Sequence, residues 1–122
     1  MKLQLAQSGP QNVVTAHGEG YVEINTRRHQ QSLMLGGAVL EPWPLANIRE
    51  VTADHFAPVT AHAPEVLIIG TGRRFTFPPP QALRPLIEAR IGHEVMDTPA
   101  ACRTYNVLLS EGRKVMAVLV VD

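Results

Sequence analysis

Four consecutive apolar residues stand at positions 66–69, directly before a glycine turn at 70–72. The run is too short for a useful helix and is rich in β-branched side chains, so it predicts a strand that is buried on both faces. Two arginines, Arg73 and Arg74, and a proline block at 78–80 follow the turn. Any fold of this chain must therefore accommodate a buried strand that ends in a glycine turn with a cationic rim.

The residues after this strand alternate between helical and strand patterns. Positions 81–90 form an amphipathic helical pattern, and Gly92 stands where a left-handed C-cap residue belongs. A short strand is predicted at 94–96. The inward face of the helix is predicted to consist of Leu83, Leu86, Ile87 and Arg90.

A second helix is predicted between two strands at the end of the chain. Asp97 or Thr98 is expected to cap it, and Pro99 suits its first position because an N–H there has no helical partner. The helix is expected to run from about 100 to 109. The most apolar segment, 115–121, follows and predicts a central strand.

The first half of the chain contains short apolar segments separated by glycine or polar residues, a pattern typical of antiparallel hairpins. The polar stretch 26–31 is predicted to separate two of these strands. Thr52 begins a helix that Pro58 keeps short, with Phe56 and Val59 facing inward. The strand candidates are residues 13–16, 21–25, 32–35 and 39–40.

Charge and metal-ligand content limit the classes of function. The formal net charge is zero at pH 7, so the chain lacks the cationic excess that drives phosphate-backbone binding, and nucleic acid is not an expected partner. The single cysteine, Cys102, excludes an internal disulfide and fits a reducing compartment. No metal site or cofactor is predicted, because the five histidines lack metal-ligand spacing. They are His17, His29, His55, His62 and His93.

The polar N-terminal residues 1–12 are predicted to form an extended arm, and residues 13–122 a single α/β domain. The arm lacks the apolar core of a secretory signal and the arginines of a transit peptide. No apolar run approaches the roughly 20 residues that span a bilayer. We therefore expect a cytoplasmic protein without a membrane span.

Several stretches of this sequence resemble one known family. The most specific is the run D-T-x-A-A-C-R-T-Y-N at 97–106. The others are residues 65–72, 77–79, 94–96 and 107–113. On these residues the chain resembles the family of unknown function that includes the mitochondrial NADH:ubiquinone oxidoreductase (complex I) assembly factor 3 and small bacterial and archaeal single-domain proteins.

The resemblance implies a three-layer α/β fold with a central mixed sheet, an N-terminal β-hairpin layer and helices packed on the sheet. It implies no established activity and no cofactor. The best-described role in that family is that of a non-enzymatic partner in building a respiratory complex. The resemblance therefore favours a protein-interaction or assembly module and leaves open whether the chain is an enzyme or a homo-oligomer.

The sharpest candidate for ligand binding is the turn formed by Gly70, Thr71 and Gly72, together with Arg73. Glycines after a buried strand let the backbone approach a ligand, and guanidinium groups can hold a carboxylate or phosphate. The spacing matches neither of the two glycine-rich nucleotide fingerprints. A tight turn with solvated arginines is the alternative interpretation.

The predicted helix after Asp97 supplies the second half of the candidate site, with Thr98, Cys102 and Arg103. A cysteine near a helix N-terminus can become a thiolate, although a lone cysteine is commonly a packing residue. His93 is the nearest histidine in sequence that could act as a base. No complete catalytic set is predicted.

Two hypotheses remain at this point. The first is an assembly module that binds protein partners. The second is a binding protein or minor enzyme for a small anionic metabolite, held by the residues 70–73 with Cys102 and Arg103 nearby. A single concave pocket bordered by the turn and by the helix start would favour the second hypothesis.

Overall fold

A computed structural model describes residues 11–122, so most of the predicted arm, 1–12, lies outside the described residues. The strands are β1 (Val14–Gly18), β2 (Tyr21–Ile24), β3 (Arg27–His29), β4 (Leu33–Gly36), β5 (Val39–Pro42), β6 (Val66–Gly70), β7 (Gly92–Met96) and β8 (Val115–Leu119). The α-helices are α1 (Ala57–His62), α2 (Arg84–Glu88) and α3 (Thr98–Ser110). Three 3₁₀ segments lie at Ile48–Glu50, Ala53–Phe56 and Pro80–Leu83.

The central sheet has five strands in the order β5-β4-β8-β6-β7. Strand β6 runs parallel to β7 and β8, whereas β4 runs antiparallel to β8 and β5, so the sheet is mixed. Leu67 and Ile69 of β6 pack into one apolar cluster, and Ile68 packs into the other. The prediction that this strand is buried on both faces is confirmed, as is the central position of β8.

Two layers cover the faces of this sheet. On one face, α1, α2 and the 3₁₀ segments contribute residues such as Phe56, Val59 and Leu86 to the first cluster. On the other face, α3 and the three-stranded sheet β1-β2-β3 contribute Val22 and Tyr105 to the second cluster. The chain is thus a single three-layer α/β domain with a hairpin layer, as the resemblance implied.

The prediction that residues 26–31 only connect two strands is wrong, because Arg27–His29 form β3. This strand lies at the edge of the small sheet with its two arginines exposed, so it shows no apolar alternation. The turn before it places both Asn25 and Thr26 at positive φ, which is the backbone of a tight two-residue hairpin. The turn geometry, rather than hydrophobic patterning, therefore determines this strand.

Two predictions for the helix at 81–90 are also wrong, namely that Ile87 faces inward and that Gly92 is the left-handed residue at its end. The segment starts as a 3₁₀ turn before α2, which changes the residues per turn and leaves Ile87 64% exposed. The left-handed residue that ends α2 is Arg90, with φ of 59°, whereas Gly92 begins β7. Ile91 donates to the Leu86 carbonyl at 2.9 Å, and both of these side chains are buried together. The buried pair fixes the end of the helix one turn before the glycine.

Candidate functional site

The carboxyl ends of β6, β7 and β8 meet at one edge of the central sheet, because the three strands are parallel. This edge brings the turn after Gly70 next to the cap of α3 and to Asp122. Asp97 accepts a hydrogen bond from the backbone N–H of Ala100 at 2.8 Å, which confirms Asp97 as the N-cap. The helix begins at Thr98, so Pro99 occupies its second position rather than its first.

The buried hydroxyl of Thr98 links three segments at this edge. Its oxygen accepts from the backbone N–H of Gly72 at 2.9 Å and donates to the carbonyl of Val120 at 2.7 Å. The backbone N–H of Thr98 also donates to the Gly72 carbonyl at 2.8 Å. The turn and the helix start, which were predicted as two parts of one site, are therefore joined by direct hydrogen bonds.

Both glycines of the turn are explained by contacts within the domain. A Cβ at Gly70 would lie 2.9 Å from the Thr98 hydroxyl and 3.0 Å from the Ala101 Cβ, so only glycine lets α3 approach β6. Gly72 has φ of 110° and accommodates the Asp122 carboxylate, which accepts from the Arg73 N–H at 2.9 Å. The N–H groups of the turn are thus already bonded inside the protein.

The loop after the turn presents two phenylalanines to solvent. The buried Thr71 hydroxyl donates to the Arg74 carbonyl at 2.8 Å and accepts from the Thr76 N–H at 3.1 Å. Phe75 and Phe77 flank Thr76 and are 48% and 77% exposed, with their rings edge to face and centroids 4.7 Å apart. The aromatic pair is therefore exposed on a loop that internal hydrogen bonds hold in place.

Three arginines border a cleft of about 820 Å³ beside this loop. Arg73 forms an exposed ion pair with Glu19 at 2.8 Å. Arg74 and Arg49, which lies on the first 3₁₀ segment, are exposed and form no ion pair with another described residue. The cleft thus carries three guanidinium groups, of which that of Arg73 is paired with Glu19, and one carboxylate, that of Asp122.

The turn and the helix start share only a very small cleft. Arg73, Thr98 and Pro99 border a space of about 20 Å³, which is the size of one water molecule. The 820 Å³ cleft contains Thr71 and Arg73 but no residue of α3. Neither of these two clefts is a single concave pocket that could hold a small ligand across both elements.

Cys102 is a buried packing residue, 1% exposed in the cluster beneath α3. Burial raises the pKa of its thiol from 9.0 to about 12, against the smaller opposite effect of the Arg103 charge. His93 pairs with Leu67 and so faces the first cluster, whereas Cys102 lies in the second, on the other side of the sheet. His93 is therefore excluded as a base for this thiol.

The other polar residues of α3 connect the helix to the hairpin layer. Asn106 accepts from the Val14 N–H at 3.0 Å and donates to the Val14 carbonyl at 2.7 Å. The Tyr105 hydroxyl donates to the Asn12 carbonyl at 2.6 Å. Arg103 is exposed and forms no ion pair with Asp97 in the described part of the chain. The stretch 97–106, which carries the most specific part of the family resemblance, thus mainly connects α3 to the neighbouring layers.

Sequence reasoning missed three residues at this edge, namely Arg49, Glu19 and Asp122. Arg49 lies on a 3₁₀ segment that has no apolar period, and Glu19 lies in the β1–β2 turn. These residues come near Arg73 only when the layers pack together. Their positions in the sequence therefore could not predict that they belong to this edge. Across residues 11–122, no group of three His, Cys, Asp or Glu side chains is placed to hold a metal ion.

The curated relatives of this chain include a eukaryotic assembly factor and a bacterial protein named as a membrane protein. The chain is 32% identical over 103 residues to NADH dehydrogenase (ubiquinone) 1 alpha subcomplex assembly factor 3 of Bos taurus, covering 83% of this chain and 55% of that protein. It is 30% identical to a 13 kDa major membrane protein of Francisella tularensis, covering 61% and 60%. The chain thus spans about half to three fifths of the length of these relatives. No helix within residues 11–122 has the length and apolarity to cross a bilayer.

A solved structure and a family model agree with the fold. The crystal structure of a Bordetella parapertussis protein is 39% identical, with a TM-score of 0.89 over 94% of this chain and 99% of that one. The matching family model is described as a protein of unknown function (DUF498/DUF598) and covers residues 14–120. On this match, the chain belongs to the DUF498/DUF598 family.

Proposed function

We propose that this domain is a non-enzymatic module that binds protein partners during the assembly of a larger complex. The observation that carries the proposal is the sequence similarity to a protein named as a complex I assembly factor. The two sequences are 32% identical over a region that covers 83% of this chain. The chemistry of the domain is consistent with it, because Cys102 is buried as a thiol and the sheet separates it from His93. Large binding surfaces, rather than a catalytic set, are what such a role requires.

The experiment is to measure the native size of the tagged protein and its associated proteins in gentle extracts of the source cells. We expect the protein to migrate in a species larger than its own monomer or dimer, with defined partners enriched over a tagged control domain of similar size. Migration only as the free protein, with no enriched partner, would refute the assembly function.

The proposal extends to location and oligomeric state. A cytoplasmic location is supported by the near-average polarity of the sequence and its single, buried cysteine. A homo-oligomer is the simplest alternative explanation of a larger native species, so the purified protein is measured alone by light scattering. Recovery of the protein mainly in washed membranes after cell fractionation would contradict the cytoplasmic location.

A second candidate function is the binding of a small anionic metabolite in the cleft beside the turn, without a contribution from the start of α3. The observation that favours it is the 820 Å³ cleft, where Arg49 adds to the arginines of the turn. Residues Gly70, Thr71 and Gly72 would shape the backbone of this site, and Arg73 would hold the anion.

A thermal-shift screen with phosphate, citrate and nucleotides tests this second function. Wild type is compared with Arg73→Ala and with Lys114→Ala, which changes an exposed cation just before β8, at the opposite edge of the sheet. If the metabolite site exists, one of these anions should raise the melting temperature of wild type and of Lys114→Ala but not that of Arg73→Ala. An equal response of all three proteins, or none, refutes it.

A further inference from the structure

We propose that a cleft beside Trp43 binds the ammonium group of an aliphatic amine. The cleft has a volume of about 270 Å³ and lies between β5 and the 3₁₀ segment Ala53–Phe56, on the face of the central sheet that carries the first cluster. We call it the Trp43 cleft. It shares no lining residue with the arginine-lined cleft, and the proposal is independent of both functions proposed above.

Two carboxylates border the Trp43 cleft from different elements. Glu41 lies on β5 directly across from Met34, which packs in the first cluster, so the Glu41 side chain is on the same face of the sheet. Asp54 lies in the first turn of the 3₁₀ segment. Both carboxylates are exposed, and neither forms an ion pair with a residue in 11–122. No cation of the described chain therefore neutralises them.

The other polar groups of the cleft add no positive charge. The Nδ1 atom of His55 accepts from the Thr52 N–H at 3.0 Å, so it carries no proton. We assign the proton to Nε2, which donates to the Pro44 carbonyl at 3.3 Å, so the ring is neutral. The indole N–H of Trp43 already donates to the His55 carbonyl at 2.9 Å. Because no lysine or arginine lines the cleft, its charge is that of the two carboxylates.

The rest of the lining is apolar. Trp43 and Met34 are 2% and 1% exposed and form the floor, whereas three exposed prolines form the border. These prolines are Pro42, Pro44 and Pro58. The volume is close to the lower end of the range for ligand pockets, roughly 300–1,000 Å³, so the expected ligand is no larger than one alkyl chain.

An alkylammonium ion fits this lining better than a metal ion does. Calcium takes about six to eight oxygen ligands, and no group of three His, Cys, Asp or Glu side chains within residues 11–122 is placed to hold a metal. The methylene groups of an aliphatic amine can instead contact the prolines, while its ammonium group donates hydrogen bonds to Glu41 and Asp54. A free amine and the side chain of a lysine share this chemistry.

Trp43 provides a direct readout, because it is the only tryptophan of the chain. The probe is n-pentylammonium chloride, added at constant ionic strength. We expect a saturable change in the Trp43 fluorescence or in the NMR signal of its indole N–H, with a Kd on the order of 1 mM for so small a ligand. The absence of a saturable change in both signals would overturn the proposal.

Two control ligands separate the charge from the alkyl chain. Ammonium chloride has the charge alone, and n-pentanol has the alkyl chain alone. We expect each to bind at least about tenfold more weakly than n-pentylammonium, because each lacks one of the two sets of contacts. If n-pentanol binds as tightly as n-pentylammonium, the cleft is only an apolar depression and the proposal is wrong.

Charge-removing variants test the two carboxylates. We expect Glu41→Gln and Asp54→Asn each to raise the Kd for n-pentylammonium about threefold, and the double variant to raise it about tenfold. The control is Glu111→Gln, which removes an exposed carboxylate at the end of α3, on the other face of the sheet. Both cleft carboxylates are exposed, so the variants should fold, which equal urea midpoints with wild type would verify. An unchanged Kd in the folded double variant would overturn the proposal.

Two further ligands identify the source of the amine and exclude a metal. If the blocked lysine Nα-acetyl-lysine N-methylamide binds within about twofold of n-pentylammonium, the ligand is a lysine side chain of a protein. If only n-pentylammonium binds, the ligand is a free amine, and both results support the ammonium site. Displacement of n-pentylammonium by calcium chloride at micromolar concentration would assign the carboxylates to a metal and overturn the proposal.

Discussion

The hydroxyl of Thr98 connects the glycine turn to the end of β8 at the edge where the candidate site was predicted. It is hydrogen-bonded to the Gly72 N–H and to the Val120 carbonyl. Because Thr98 is buried, water cannot replace the hydroxyl as a partner for either group. We expect Thr98→Val, which keeps the shape but removes both bonds, to lower the free energy of unfolding by about 2–3 kcal/mol. Thr98→Ser keeps the hydroxyl and is the control. Equal urea stability of the two variants would contradict the role of the hydroxyl.

Gly70 provides a second test at the residue scale. An alanine Cβ there would crowd both Thr98 and Ala101, so we expect Gly70→Ala to destabilise the domain by about 1–3 kcal/mol. Gly92 is the matched control, because a Cβ there would meet only the Glu65 carbonyl at an ordinary 3.6 Å. Gly92→Ala should be neutral or slightly stabilising. Urea unfolding measures both, and a Gly70→Ala protein as stable as Gly92→Ala would show that helix α3 does not pack as described.

The burial of Cys102 makes the free energy of unfolding decrease as the pH becomes alkaline. Its folded pKa of about 12 lies above the unfolded value near 9.0, so the unfolded chain releases the proton first. The contribution of the thiol is fully present below about pH 9 and is lost as the pH rises through the folded pKa. At about pH 10 we expect wild type to have lost about 1.4 kcal/mol of unfolding free energy relative to its value at neutral pH, beyond any loss in Cys102→Ala.

The Cys102→Ala protein is the control because it retains Tyr105, whose pKa burial also raises. Urea unfolding across the pH series gives the difference between the two proteins. Parallel pH profiles would show that the thiol has the same pKa in the folded and unfolded states, and would reopen the question of a reactive Cys102.

At the scale of elements, the sequence predicted the strands and helices whose burial follows a simple period. Strand β6 was recognisable because its apolar run is continuous, and α3 because Asp97 supplies a cap. Strand β3 was not, because its arginines face solvent and only the positive φ of Asn25 and Thr26 defines the hairpin. Local turn conformation leaves no periodic signal in these residue types.

The end of α2 illustrates the same limit and provides a prediction. Arg90 is held at φ of 59° by the burial of Ile91, although an arginine has no preference for this region. We expect Arg90→Gly to raise the free energy of unfolding by about 1 kcal/mol, because glycine avoids the Cβ strain. Arg90→Ala retains the strain and should be close to wild type. An Arg90→Gly protein no more stable than Arg90→Ala in urea would contradict the left-handed cap.

At the scale of the whole molecule, the family resemblance predicted the three layers. The patterns of residues in the sequence did not predict how these layers contact each other. Arg49 and Arg74 are separated by 25 positions, and only the folded chain brings them to one cleft. The predicted turn and helix start do lie together, but their contact is a set of internal hydrogen bonds around Thr98. The exposed feature at this edge is instead the pair of Phe75 and Phe77.

The central claim is the proposal that this domain takes part in the assembly of a larger complex. The most direct measurement is the native size of the tagged protein in gentle cell extracts, compared with a tagged control domain of similar size. We expect the protein to migrate in a species larger than its own monomer or dimer, whereas the control domain migrates alone. Migration of the protein only as the free domain would contradict the claim.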